Sequence, residues 1–189
     1  MTMSDKYFIS AQELLEDSYR LGVQIINSGF RPDFIVGIWR GGTPVGIAIQ
    51  ELMEFFSIPT DHISLRTSLY QGIAKTKRRV RVHGLGYLVR NLNAHNALLI
   101  VDDVFDSGRS IEAVIQQLSA RTRRNTPHQI KVAAPWYKPT NNMTSRVPDF
   151  YLHETDRWLV FPHEVTGLSE DELANGKGSL HEIMQGIDG

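Results

Sequence analysis

The segment at residues 98–110 constrains the fold of this chain more than any other. It begins with four apolar residues, which are typical of a strand buried on both faces of a parallel sheet. Two adjacent carboxylates, Asp102 and Asp103, follow, and an Asp-Ser-Gly-Arg-Ser turn comes after two further apolar residues. Apolar residues then repeat at helical spacing over residues 111–118. The pattern predicts a strand, an acidic loop and a helix in direct succession.

The turn at residues 106–110 has the composition of an anion-binding loop. Ser107 and Ser110 supply hydroxyl groups, and Gly108 lets the backbone approach a ligand closely. The predicted helix N-terminus adds unpaired N–H groups and the positive end of the helix dipole, so we expect a phosphate group here. The structural alternative is an ordinary strand-to-helix turn in which Ser and Asp only cap the helix.

Strand-like and helix-like patterns alternate along most of the chain. This alternation predicts an α/β fold with a mainly parallel central sheet flanked by helices. Ligands of such folds bind beyond the carboxyl ends of the strands. Short strand patterns near residues 150–161 and helix patterns after Ser169 predict a small cap. The main predicted strands are residues 34–39, 63–67, 97–102 and 129–136, and the predicted helices begin near Ser10, Pro44 and Ser110.

The bulk properties predict one ordinary globular domain. A chain of 189 residues with 41% hydrophobic residues can bury a full core, so we assign residues 1–189 to a single domain. The absence of cysteine excludes disulfides and thiolate chemistry. Neither a signal peptide nor an apolar run of the roughly 20 residues that span a bilayer is recognisable. We expect a cytoplasmic protein without a membrane partner.

Two regions depart from the strand–helix alternation. Residues 68–84 are basic and have little core-forming character, so we expect a flexible loop or an exposed ribbon. Whether the cluster at residues 75–81 is a solvated charged segment, a lid over a site or a binding surface stays open. Residues 139–189 are expected to form a hood of short strands and C-terminal helices.

Two further places are candidates for binding chemistry. In the turn after the strand that ends at Trp39, Arg40 is followed by two glycines, which lets the backbone and a cation approach an anion together. An ordinary Gly-Gly turn is the alternative. Lys138 ends another strand and precedes a proline, and its alternative is a plain surface lysine.

The acidic pair and the following turn together resemble the diphosphoribosyl-binding signature of the type I phosphoribosyltransferases. Response regulators and Walker-B segments share an apolar strand followed by Asp-Asp, but the Asp-Ser-Gly-x-Ser turn sharpens the match. The chain lacks a Gly-x-x-x-x-Gly-Lys-Ser/Thr loop, which argues against a nucleoside triphosphatase. The resemblance covers roughly residues 34–164 and extends to the base-recognition segment of hypoxanthine-guanine and xanthine-guanine phosphoribosyltransferases.

The resemblance implies a purine salvage enzyme. Such an enzyme transfers ribose 5-phosphate from 5-phospho-α-D-ribose 1-diphosphate to hypoxanthine, guanine or xanthine, releases pyrophosphate, and uses Mg²⁺ as its cofactor. It also implies a homodimer or homotetramer. By resemblance, Asp106 is the general base at purine N7. The resemblance assigns the 5-phosphate and ribose to Asp102, Asp103, Asp106, Ser107, Gly108, Arg109 and Ser110, the pyrophosphate to Arg40, Gly41 and Arg66, the purine to Lys138, Trp158 and Leu159, and the metal to Asp102, Asp103 and Glu164.

Three residues in this assignment depart from the family pattern, and one has a structural alternative. Glu164 stands where the family more usually has Asp, Ser107 where it often has Thr, and Arg109 where a small residue or lysine is common. The family often has a non-proline cis peptide in the pyrophosphate loop, which we place between Arg40 and Gly41. Trp158 is otherwise read as a core aromatic.

Two other functions compete with this interpretation. One is a non-catalytic regulator that keeps the diphosphoribosyl pocket and binds nucleic acid through residues 75–81. The formal net charge of −1 argues against it, so we do not expect nucleic acid as a partner. The other is a phosphoribosyltransferase for adenine or a pyrimidine. Lys138 argues against adenine, because an ammonium finds no acceptor at a 6-amino group.

Overall fold

A computed structural model describes residues 6–71 and 78–186 of the chain, and the side chains of residues 6–69 and 80–186. Of the predicted basic cluster at residues 75–81, residues 75–77 lie outside these ranges, as do the side chains of residues 78 and 79. The described strands are β1 (Lys6–Phe8), β2 (Phe34–Trp39), β3 (Asp61–Gln71), β4 (Arg78–His83), β5 (Ala97–Val101), β6 (Val104–Phe105), β7 (Gln129–Ala133), β8 (Trp136–Tyr137), β9 (His153–Glu154) and β10 (Trp158–Val160). The helices are α1 (Ala11–Asn27), α2 (Gly42–Phe55), α3 (Gly86–Asn91), α4 (Arg109–Thr122), α5 (Glu170–Gly176) and α6 (Gly178–Met184).

The central sheet has five strands in the order β4-β3-β2-β5-β7. The pairs β2–β3, β2–β5 and β5–β7 are parallel, and only β4 at the edge is antiparallel. The predicted α/β fold with a mainly parallel sheet is therefore confirmed. Because β2 and β5 are parallel neighbours, the loops that follow them leave the same edge of the sheet.

Apolar residues cover both faces of this sheet. Successive residues of β2 and β5 point to opposite faces, and Val36 and Ile100 join a core that includes the buried side of α4. Ile35 and Leu99 are equally buried and face the other way. The near-continuous apolar sequence of β2 and β5 follows from this burial on both faces.

The helices α1 and α4 begin in different ways. Ser10 and Glu13 form the predicted capping box before α1, with the Glu13 N–H donating to Ser10 Oγ at 3.0 Å. In contrast, α4 begins after Gly108 without any side-chain cap, so the alternative in which Ser and Asp only cap this helix is wrong. The first N–H groups of α4 therefore receive no bond from a side chain of the N-cap residue.

The chain divides into two compact units, Leu14–Asp156 and the combination of Met1–Glu13 with Arg157–Gly189. The first contains the central sheet and a small parallel sheet of order β6-β8-β9. The second contains the parallel pair β1–β10 and the helices α5 and α6. The hood predicted from residue 139 onward remains a prediction.

The structure differs from the predicted elements in the basic segment and near Pro135. Residues 68–71 continue β3, and β4 pairs with it antiparallel, so the described parts of the predicted loop belong to the central sheet. The single strand predicted over residues 129–136 is two strands, because Ala134 and Pro135 separate β7 from β8. Within the described ranges, no helix is long and apolar enough to cross a membrane.

Candidate functional site

The loops after β2 and β5 lie against each other at the carboxyl edge of the sheet. A Cβ atom added to Gly41 would overlap the carboxylate of Asp103. One added to Gly42 would overlap the carbonyl oxygen of Val101 and stand 2.8 Å from Asp102 Cα. Only glycine fits at both positions, so the Gly-Gly turn has a steric purpose that an ordinary turn lacks.

The acidic pair is tightly organised by its own backbone. The N–H of Asp103 donates to Asp102 Oδ1 at 3.1 Å, and the N–H of Val104 donates to Asp103 Oδ1 at 2.8 Å. Burial, together with the neighbouring Asp103 carboxylate, raises the pKa of Asp102 well above its usual range. Ionising both carboxyls of the pair is therefore costly unless a cation lies nearby to balance the charge.

The predicted phosphate loop precedes α4 as expected. Gly108 is buried and has a φ of +71°, a backbone conformation that residues with a side chain rarely adopt. Its hypothetical Cβ would stand 2.7 Å from Thr144 Oγ1 and 2.8 Å from Phe105 Cζ. Asp106 and Arg109 are exposed, and Ser107 and Ser110 are half-buried. Hydroxyls, N–H groups and an arginine therefore surround the start of a helix of 14 residues.

Two arginines lie next to this edge of the sheet. Arg40 directly follows β2, and Arg66 on β3 is the register partner of Trp39. Both arginines are exposed. The non-proline cis peptide joins Trp39 to Arg40 and not Arg40 to Gly41, so its predicted position was wrong by one residue. The sequence does not distinguish the two peptide bonds that flank Arg40, because no residue type in this segment marks one of them as cis.

Lys138 is not a surface lysine. Its residue is only 9% exposed, and its N–H donates to the carbonyl oxygen of Phe105 at 2.9 Å. Across the described residues its ammonium makes no hydrogen bond and no ion pair. A largely buried lysine whose ammonium forms no ion pair can donate to an acceptor on a ligand, which makes Lys138 a candidate for ligand recognition.

The remaining predicted site residues belong to the second unit. Trp158, at the start of β10, is 54% exposed, so it is not the core aromatic of the alternative reading. Leu159 is buried and pairs in register with Tyr7. Glu164 uses Oε2 to accept the N–H of Phe161 at 3.1 Å. The carboxylate of Glu164 is therefore engaged with its own loop.

Sequence reasoning missed several residues that support these loops. Thr67 Oγ1 donates to Ser110 Oγ at 3.5 Å, which joins β3 to the phosphate loop. Lys177 Nζ donates to the carbonyl oxygens of Phe161 and Pro162 at 2.5 and 3.1 Å, and burial lowers its pKa. No local motif marks either contact, because both depend on segments that are distant in sequence.

The unit Leu14–Asp156 therefore brings together a set of groups suited to a phosphorylated sugar. A helix start without a side-chain cap, a carboxylate pair and exposed arginines lie at one edge of the sheet. The backbone of the largely buried Lys138 is bonded to Phe105 of β6, directly before the predicted phosphate loop. Such an arrangement can hold two phosphate-bearing ends of one ligand and a divalent cation. In the part of the chain that the structure describes, no cluster of three or more His, Cys, Asp or Glu is found.

Comparisons with known proteins agree with this geometry. The chain is 27% identical over 117 residues to the bifunctional protein PyrR of Corynebacterium diphtheriae. That match spans 58% of this chain and 61% of the relative's length. A purine phosphoribosyltransferase of Pyrococcus horikoshii is 25% identical in sequence, with a TM-score of 0.71 and coverage of 87% of this chain and 98% of that one.

A second solved structure shows the same fold. The xanthine-guanine-hypoxanthine phosphoribosyltransferase of Helicobacter pylori is 20% identical, with a TM-score of 0.64 and coverage of 92% of this chain and 99% of that one. A family model described as the phosphoribosyl transferase domain matches residues 9–170. Because this match covers most of the chain, the protein belongs to the phosphoribosyl transferase domain family.

Proposed function

We propose that this protein is a purine salvage phosphoribosyltransferase for 6-oxopurines. It transfers ribose 5-phosphate from 5-phospho-α-D-ribose 1-diphosphate to N9 of hypoxanthine or guanine, with xanthine as a further acceptor, and releases pyrophosphate. The observation that carries this proposal is the position of Lys138, a residue only 9% exposed whose backbone N–H is bonded to Phe105, directly before the phosphate loop, and whose ammonium forms no ion pair within the described residues. A carbonyl oxygen at purine C6 supplies the acceptor that this ammonium lacks, whereas a 6-amino group does not.

The donor is held at both of its phosphorylated ends. The backbone N–H groups and hydroxyls of residues 107–110 receive the 5-phosphate at the start of α4. Arg40, Gly41 and Arg66 receive the pyrophosphate at the neighbouring strand ends. Fixing both ends orients C1 of the ribose toward the base, and such positioning supplies a large part of the rate.

Proton transfer is assigned to Asp106. The C1–pyrophosphate bond breaks early and leaves an oxocarbenium-like centre, which N9 of the base attacks. Asp106 is the exposed first residue of the phosphate loop, and it takes the proton at purine N7 as the general base. Trp158 offers an exposed ring for stacking on the base, and Leu159 offers backbone groups to its edge.

The carboxylate pair fits Mg²⁺. The raised pKa of Asp102 shows that burial and Asp103 together make two negative charges costly here, and a divalent cation removes that cost. Mg²⁺ prefers oxygen ligands and commonly uses one or two carboxylates together with substrate oxygens. Asp102 and Asp103 would hold it together with the ribose hydroxyls. When bound, the ion neutralises charge on the leaving pyrophosphate.

Base preference tests the proposal directly. The full chain is assayed for pyrophosphate release with the diphosphoribosyl donor, Mg²⁺ and a panel of hypoxanthine, guanine, xanthine, adenine and pyrimidine bases. We expect the wild type to prefer 6-oxopurines over adenine by at least about 10³-fold in kcat/KM, because adenine leaves a charged donor unpaired. Lys138→Gln should erode this ratio while donor binding stays near normal.

A second lysine provides a matched control. Lys131 on β7 places its ammonium 5.0 and 4.9 Å from the ring centroids of Phe30 and Phe150. Lys131→Gln should alter stability without altering the hypoxanthine-to-adenine ratio. An unchanged ratio in Lys138→Gln would show that base choice is made elsewhere, and the backbone groups near Leu159 would be tested next.

The same panel separates the competing functions. Turnover with adenine or a pyrimidine alone would identify a phosphoribosyltransferase for another base. Donor binding without turnover on any base, together with binding of a fluorescent single-stranded oligonucleotide, would identify the non-catalytic regulator. Of the cluster that motivates this regulator, residues 75–77 lie outside the described residues, and Arg81 is exposed on β4.

A further inference from the structure

A short segment at residues 142–146, which we call the strap, contacts the phosphate loop. The N–H of Met143 donates to the carbonyl oxygen of Ser107 at 3.1 Å. Thr144 Oγ1 lies 2.7 Å from the place where a Cβ on Gly108 would stand. Ser107 and Gly108 belong to the loop that is proposed to receive the 5-phosphate. The strap therefore holds the backbone of Ser107 by one hydrogen bond, and its Thr144 lies close to Gly108.

One side chain holds the strap in shape. Asn142 Nδ2 donates to the carbonyl oxygen of Arg146 at 2.8 Å and to Tyr137 Oη at 3.3 Å. Asn142 Oδ1 accepts the N–H and the hydroxyl of Thr144, both at 2.9 Å. The amide thus uses two donors and two acceptors, which is its full capacity. An aspartate would lack the donors, and an alanine would lack all four bonds.

Asn142 also connects the strap to the strand that leads to the buried lysine. Tyr137 directly precedes Lys138 and packs edge-to-face on Phe105, with ring centroids 5.7 Å apart. The N–H of Lys138 donates to the carbonyl oxygen of Phe105, which directly precedes the phosphate loop. The side chain of Asn142 therefore bonds to Tyr137, which precedes the proposed base-recognition lysine, and to Thr144, which lies close to the phosphate loop.

We propose that Asn142 is a positioning residue for the phosphate loop. It contacts no substrate, but it fixes Thr144 and Met143, which in turn hold Ser107 and Gly108 in the conformation that receives a sugar 5-phosphate. The proposal rests on the proposed phosphoribosyltransferase function and adds a residue to it. Loops whose supporting contacts are lost bind their ligand more weakly because the productive geometry is no longer prepared in advance.

The test uses ribose 5-phosphate, which reports on the phosphate loop without any turnover. Its Kd is measured by calorimetry on the full chain for the wild type, Asn142→Ala and Thr144→Val. We expect Asn142→Ala to weaken binding by about tenfold and to raise the KM for the diphosphoribosyl donor by a similar factor, with a smaller change in the KM for hypoxanthine. Thr144→Val keeps the shape of the side chain but removes its hydroxyl, and should weaken binding by about threefold.

The matched control is Asn91→Ala on α3. Asn91 Nδ2 also donates to a backbone carbonyl, that of Tyr87, at 2.8 Å, but contacts no part of the strap. Ribose 5-phosphate affinity at the wild-type level in Asn142→Ala or in Thr144→Val would overturn the positioning role, as would an equal loss in Asn91→Ala. If Asn142→Ala does not fold, Thr144→Val decides. A wild type that neither binds ribose 5-phosphate nor forms nucleotide would overturn the proposed function instead.

Discussion

The steric contact between Gly41 and Asp103 supports a prediction about a single methyl group. Gly41 has φ −67° and ψ −32°, a right-handed helical conformation that alanine adopts without strain. Any effect of Gly41→Ala must therefore come from the space that the new Cβ needs. That space is occupied by the Asp103 carboxylate.

The magnitude follows from what Asp103 has to give up. The residue is 8% exposed and its Oδ1 accepts the N–H of Val104 at 2.8 Å, so it cannot move without breaking that bond. Loss of a hydrogen bond to a charged group, added to overpacking, should cost about 1–3 kcal/mol of the free energy of unfolding. For a chain of this size, each kcal/mol lowers Tm by about 2–4 °C. Donor binding in the presence of Mg²⁺ should weaken as well, because the carboxylate is displaced.

A second glycine provides a control of opposite sign. Gly46 lies inside α2, and a Cβ there would meet Gly37 Cα at 3.7 Å and Ile35 Cγ2 at 3.9 Å, which are ordinary contacts. Gly46→Ala should therefore be neutral or raise stability by up to about 1 kcal/mol, because glycine is a poor helix former. Both variants are compared by thermal denaturation and by calorimetric titration of the donor. Equal Tm values and equal donor affinities for Gly41→Ala and the wild type would refute the steric argument.

Two further predictions concern the phosphate loop. Gly108→Val should weaken donor binding by more than about tenfold, because the new side chain meets Thr144 and Phe105 and a β-branched residue resists a positive φ. Gly29→Val is its calorimetric control, since Gly29 also has a positive φ but no neighbour within 4 Å of its hypothetical Cβ. Asp106→Asn should lower turnover by about 10²–10⁴-fold with little change in Tm, because the structure gives Asp106 no capping bond to lose. Steady-state kinetics that stay within about threefold of the wild type would remove Asp106 as the general base.

The elements that sequence analysis predicted well carry strong local signals. The strands β2 and β5 are apolar at successive positions because both faces of the sheet are covered, and α1 is marked by its capping box. The start of α4 is marked by Gly108, which has a positive φ. The glycine within the Ser-Gly-Arg-Ser sequence already indicates a backbone conformation that other residues rarely adopt. Where neighbouring residues in the sequence decide burial and backbone conformation, the residue types are enough to predict them.

The elements that were missed are decided by their partners. The strand β4 alternates arginines with Val80 and Val82, but charge hides this period-two pattern, and the strand exists because β3 extends far enough to pair with it. The helix α3 has six residues, too few for a helical period to be recognised. Pro135 interrupts the strand predicted over residues 129–136, since it has no N–H to donate to a ladder.

The candidate site shows the same division between local and tertiary information. Ser107, Gly108 and Ser110 were predicted as an anion-binding loop from adjacent residues alone. The separate roles of the two glycines after Arg40 depend instead on the neighbouring strand. Gly41 makes room for a side chain that is proposed to hold the metal, whereas Gly42 makes room for the backbone of β5.

This difference has a consequence for the two positions. Asp103 can rotate away from a methyl group at Gly41, so Gly41→Ala should give a folded protein with an altered acidic pair. A methyl group at Gly42 would meet the carbonyl oxygen of Val101 and the Cα of Asp102, and backbone inside a sheet cannot rotate away. The packing of β2 against β5 therefore depends on Gly42, and the chemistry at the sheet edge depends on Gly41, although the two residues are adjacent and identical in type.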